Sequence, residues 1–126
     1  MNQRSITRAG AWYDLFATMG FATPWTAGLV LSAMSSLPLG GARISTFDEG
    51  QLLFVTLMGT VVTMWSVLRI MRPTREKLIA DTVARGVFTV WMIRAAALGA
   101  PRVILIFAAL ELVWMFVQAF AAWATE

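Results

Sequence analysis

Apolar positions along the chain fall into four blocks. Each approaches the length that a helix needs to cross the hydrocarbon of a bilayer, roughly 20 residues or about 17 at the short limit. The first runs from about Ala9 to Leu37 and is interrupted by Asp14 and Pro24, whereas the second, Leu52 to Leu68, has no charge at all. The third, from about Thr82 to Leu98, carries Arg85 near one end and Arg94 near the other. The fourth, Val103 to Trp123, carries only Glu111 and Gln118. The third block is the weakest by itself, but its two Arg lie close enough to the ends for their stems to snorkel, and it gives the fourth block a partner. The pattern predicts an all-α polytopic membrane four-helix bundle, a single transmembrane domain over residues 1–126 with helices over about 9–37, 47–71, 75–98 and 102–123.

Local chemistry marks the joints. Pro38, Gly40 and Gly41 end the first helix. Ser45-x-x-Asp48 and Thr46-x-x-Glu49 both read as capping boxes, which starts the second helix near Phe47. Pro73 and Thr74 precede Arg75, Glu76 and Lys77, so the third helix begins as an amphipathic turn at headgroup level. Gly99, Ala100 and Pro101 form a short turn, Gly suiting a helix end and Pro the first turn of the next, which makes the last two helices an antiparallel hairpin. Pro24, within Thr23-Pro24-Trp25-Thr26, removes a backbone donor from the first helix. The expected result is a kink closed by threonine hydroxyls, the alternative a hinge or notch lined by Trp25.

Basic residues set the orientation. Arg4, Arg8, Arg69, Arg72, Arg75, Lys77 and Arg85 gather at the N-terminus and the second loop, against Arg43, Arg94 and Arg102 opposite, so both termini and the basic loop are placed in the cytoplasm. Trp12, Trp65 and Trp123 fall at that same interface. Arg4 and Arg8 also resemble the basic start of a signal peptide, but Asp14 inside the apolar stretch and no clean A-x-A site favour a retained anchor.

Composition narrows the chemistry. In 126 residues, 59% are hydrophobic and 13% charged, with mean hydropathy +0.71. The ten Lys+Arg against seven Asp+Glu give a net charge of only +3, so the pI near 10.6 reflects few acids rather than a nucleic-acid surface. There is no Cys and no His, which removes thiolate chemistry, the usual zinc and haem ligands and the ordinary neutral-pH proton shuttle. The eight Met form no ligand cluster. Nothing implies a catalytic residue, cofactor or metal, and the short basic loop between spans suits anionic lipid heads better than nucleic acid.

The polar residues inside the blocks are the candidate sites, because a charge near the bilayer centre costs roughly 2.5 to 3.5 kcal/mol on insertion scales. Glu111 lies about 13 Å into the fourth helix from the outer side, and Arg94 about 6 Å from that side on the third. A Glu111–Arg94 pair is the first reading. The others are a protonated Glu111 acting as proton carrier or ligand anchor, and a solvated groove. Glu111, Trp114 and Gln118, at i, i+3 and i+7, share one face that Ile104 and Phe107 extend, an arrangement that lines either a small interior pocket, with Trp25 opposite, or an ordinary helix contact. On the cytoplasmic side Asp14 has Arg85 as its natural bridge partner, with Asp81 competing. Two stripes of small residues, Thr56/Gly59/Thr63/Ser66 and Gly28/Ser32/Ser36, allow close packing of the first two helices or, alternatively, a homodimer face.

Four short helices, a basic central loop and the run Phe47-Asp48-Glu49-Gly50-Gln51-Leu52-Leu53-Phe54, leading to Gly59 and Trp65-Ser66-Val67-Leu68-Arg69, resemble the small DoxX-like bacterial inner-membrane proteins. The resemblance carries no functional residues over. Small multidrug-resistance transporters are similar in length, helix number and an acid in the first helix, here Asp14. In that family, however, the acid is a Glu deep in the helix, and its second loop is less basic. The expectation is a non-enzymatic small protein of the bacterial inner membrane, an accessory or scaffold component or the binder of a small hydrophobic ligand within the bundle. The alternative is proton-coupled export of lipophilic cations. Partners are membrane lipids, together with another membrane protein or a second copy.

Overall fold

Thr23 and Pro24 divide the first apolar block into two separate helices. In the computed structural model, which describes residues 2–39 and 44–124, α1 spans Gln3–Thr18 and continues as a 3-10 turn over Met19–Ala22. Helix α2, Pro24–Ser35, then leaves at 109° to that direction. The expected single helix over 9–37 with a kink is therefore corrected to a full break, and the described chain has five helices rather than four. Thr23 is extended (φ −131°, ψ 147°) and its hydroxyl accepts from Thr26 N (3.2 Å), so it caps a new helix with Pro24 in the first turn, where a missing N–H costs nothing. Thr26 Oγ1 donates to the freed Gly20 carbonyl. Threonines do satisfy the break, but by capping a second helix instead of closing the first.

The other three are α3 (Glu49–Met71), α4 (Arg75–Ala97) and α5 (Val103–Ala124). Helix α3 starts two residues beyond the expected Phe47 because Asp48 is its cap: Asp48 Oδ1 accepts from Gln51 N (2.7 Å) and Gln51 Oε1 from Asp48 N (3.0 Å). The capping box is thus Asp48 with Gln51, not Ser45 with Asp48 or Thr46 with Glu49. Thr74 caps α4 through Lys77 N (3.3 Å). Gly99, at φ +99°, supplies the left-handed residue that ends α4. Gly40, Gly41 and Arg43 lie outside the described residues.

Helices α4 and α5 pack along each other as an antiparallel pair, and α1 lies against α3 while also touching both. Gln3 Nε2 donates to the carbonyls of Ala121 (3.3 Å) and Ala122 (3.4 Å), Arg75 Nη2 to that of Ala122 (3.3 Å) and Arg8 Nε to that of Ile70 (3.1 Å). The start of α1, the α3–α4 joint and the end of α5 therefore meet at one end of the molecule.

The small-residue stripe on α3 receives the 3-10 turn. A Cβ on Gly59 would stand 2.5 Å from the Phe21 carbonyl carbon, so only glycine admits that backbone. The Gly28/Ser32/Ser36 ladder is exposed, with open space beside Gly28, so it packs against neither α1 nor α3. The apolar core is small, formed by Ile6, Leu78, Ala121 and Ala122 with Val117 against them. Large apolar side chains such as Phe54, Val61, Phe116 and Phe120 point outward instead. Helices α3 and α5 are long and apolar enough to cross a membrane, and α1 with α2 would supply a third such element if the bent pair were one span. Helix α4 is as long as α3 but holds Asp81, Arg85 and Arg94.

Candidate functional site

Where a soluble bundle would bury leucines, this one buries ions. Arg85, on α4, directs each guanidinium nitrogen to a different carboxylate: Nε to Asp81 Oδ2 (2.9 Å), Nη1 to Glu111 Oε2 (2.8 Å) and Nη2 to Asp14 Oδ2 (2.7 Å). Arg69, near the end of α3, reaches the same two aspartates, its Nη2 donating to Asp14 Oδ2 and its Nη1 lying 2.8 Å from Asp81 Oδ2. That second contact has ion-pair distance without the N–H aimed at the oxygen, and Arg69 Nε has no acceptor among the described residues. Arg69 and Arg85 are nonetheless almost fully buried.

Neutral donors complete the shell. Trp65 Nε1 donates to Asp81 Oδ1 (2.9 Å) and Gln118 Nε2 to Asp81 Oδ2 (2.9 Å), while Gln118 Oε1 accepts from Thr82 Oγ1 (3.3 Å). Three aromatic rings flank the guanidinium groups, Trp65 at 5.7 Å from Arg69, and Tyr13 and Trp114 at 6.0 and 5.8 Å from Arg85. Tyr13 and Trp114 pack with centroids 5.5 Å apart. Gly10 makes the room: a Cβ there would meet Gln118 Nε2 at 2.8 Å and stand 3.6 Å from Arg85 Nη2. Four helices thus contribute to one network, and every acid in it receives at least one charged donor.

Of the candidate residues, Asp14, Arg85, Glu111, Trp114 and Gln118 come together, and Asp81 binds Arg85 alongside Asp14 instead of displacing it. Two candidates do not join. Arg94 is exposed and makes no pair with Glu111; it follows Arg85 by nine residues, which at about 100° per residue puts it half a turn round the helix. Depth alone suggested the Arg94 pair, but helix face decided for Arg85. Trp25 is 80% exposed, carried away from the bundle by the break before Pro24, and Tyr13 occupies the place opposite Trp114.

Sequence reasoning missed Arg69, Trp65 and Gly10 as members. Their signal was the pairing of two i, i+4 faces, Trp65/Arg69 and Asp81/Arg85, on either side of the Pro73 turn. By sequence alone Arg69 reads as one of the headgroup bases and Trp65 as part of the aromatic belt. No group of three or more His, Cys, Asp or Glu side chains placed to hold a metal ion occurs among the described residues. No family model, no curated protein and no solved structure matches this chain. The cluster ties α1, α3, α4 and α5 together through charged contacts.

Proposed function

We propose that the chain is a non-enzymatic multi-pass protein of the bacterial inner membrane with an accessory or scaffold role, its termini and basic loop in the cytoplasm. The supporting observation is the inversion of polarity: the ions are turned inward and bound to one another, while large apolar side chains face out around the bundle. Hydrocarbon as the surrounding solvent makes both halves favourable. On this reading α1 with its 3-10 extension, α3, α4 and α5 make four crossings. Gln3–Ala22 rises about 30 Å at 1.5 Å per residue, whereas the 12 residues of α2 are too short to cross.

Between scaffold and ligand binder the geometry favours the scaffold. Gln118, the amide that would anchor a ligand, already uses both its donor and its acceptor inside the protein, and Trp114 packs on Tyr13 and Arg85. The experiment is alkaline carbonate extraction of membranes followed by purification in mild detergent. The protein is expected in the pellet, and then in a complex of defined stoichiometry with another membrane protein. Recovery in the carbonate supernatant defeats the membrane reading. A lone chain with a stoichiometric small apolar molecule defeats the scaffold in favour of the binder.

A further inference from the structure

The geometry points to Glu111 as a proton-binding site, taking up and releasing one proton beside the ring that Asp14, Arg69, Asp81 and Arg85 form. The argument is one of charge and connectivity. Arg69 and Arg85 each contact both Asp14 and Asp81, so these four groups close a ring of two cations and two anions with no net charge. Guanidinium groups keep their protons. Of the two aspartates, Asp81 also accepts from the neutral donors Trp65 and Gln118. The ring is complete without Glu111.

Glu111 is the third carboxylate against two guanidinium groups, and its only donor among the described residues is Arg85 Nη1, at 2.8 Å. From α1 it is faced by Tyr13 and Asp14, from α4 by Asp81 and Arg85, with Arg69 of α3 behind them across the ring and Trp114 beside it on α5. Ionised, Glu111 leaves the cluster one negative charge in excess, next to two other carboxylates in a medium of low dielectric. Protonated, it keeps the Arg85 contact through its carbonyl oxygen and the cluster is neutral. Its side chain is also the least enclosed of the three acids, 18% exposed against 12% for Asp14 and 7% for Asp81. Proton binding of this kind requires only the cluster and is independent of a scaffold role.

Infrared spectroscopy of the full chain in lipid nanodiscs tests it, read in the carbonyl stretch of a neutral carboxylic acid near neutral pH. The wild type is expected to show one such band, shifted by ¹³C-labelled Glu and not by ¹³C-labelled Asp, and lost at alkaline pH. Glu111→Gln abolishes it. Asp14→Asn abolishes it as well, although Glu111 is still present, because two acids then balance two guanidinium groups. No neutral-acid band in the wild type, a band that follows the Asp label, or one that survives either substitution overturns the proposal. The labelling arm stands on the wild type alone, so a variant that misfolds does not remove the test.

Discussion

Arg85 is the residue on which the interior depends, since its three nitrogens hold acids from three helices: Asp14 on α1, Asp81 on α4 and Glu111 on α5. Burying an ion costs several kcal/mol, and that cost is offset only while its partners remain. Replacing Arg85 with Leu leaves Asp14 and Asp81 to Arg69 and takes from Glu111 its charged partner, and breaking a buried pair in this way loses about 3 to 5 kcal/mol. Arg94→Leu, on the exposed opposite face, is expected to change stability by no more than about 0.5 kcal/mol. Thermal unfolding in detergent compares the two, and equal losses would contradict the assignment of faces. Trp65→Phe keeps the ring but removes the indole donor to Asp81 Oδ1, for an expected loss of about 1.5 to 3 kcal/mol, the range for a hydrogen bond to a charged group. An unchanged melting temperature in that variant would mean that the bond to Asp81 carries no weight.

Among the elements, the break between α1 and α2 and the glycine stripe on α3 are one feature seen from two sides. Pro24 ends the helical hydrogen bonding, and the turn before it then needs a surface without side chains, which Gly59 offers. Gly59→Ala drives a Cβ to 2.5 Å from backbone that cannot rotate away, so it is expected to destabilise by about 1 to 3 kcal/mol. Gly28→Ala is the control. Nothing lies within 4 Å of the added carbon, and the gain in helix propensity makes it neutral or stabilising by up to about 1 kcal/mol. Chemical unfolding of the pair in detergent separates the two sites, and a harmless Gly59→Ala would show that the turn does not sit on α3. The spacing of each stripe was plain in the sequence. Which stripe has a partner was not, because that depends on where the broken chain goes.

At the scale of the whole molecule, the hydrogen bonds joining Gln3, Ile70, Arg75 and Ala122 gather the basic residues at one end, with the Gly99 turn at the other end of α4. The positive-inside rule then predicts the outcome of cysteine labelling on a background with no native Cys. A cysteine at Leu98 is expected to react with an impermeant reagent added to intact cells, and one at Arg75 only after lysis. Reaction at 75 with protection at 98 inverts the orientation.

Hydropathy together with the capping, proline and glycine signals determined that the chain is helical, where α3, α4 and α5 lie to within two residues, and that Asp14, Arg85 and Glu111 are polar groups in apolar surroundings. These properties are local or additive: twenty apolar residues must hide their backbone polarity in a helix whatever their neighbours are. Tertiary structure alone decided that Glu111 meets Arg85 and not Arg94, that Arg69 and Trp65 point inward rather than to the headgroups, and that Trp25 leaves the bundle. Each of those outcomes rests on which face of one helix is turned to another, or on the 109° change of direction at the break around Thr23. Helical period makes a face legible, but its partner is set by packing: a Cβ built on Gly10 would stand 3.8 Å from Arg69 Nη1, and only the assembled helices bring those two positions together.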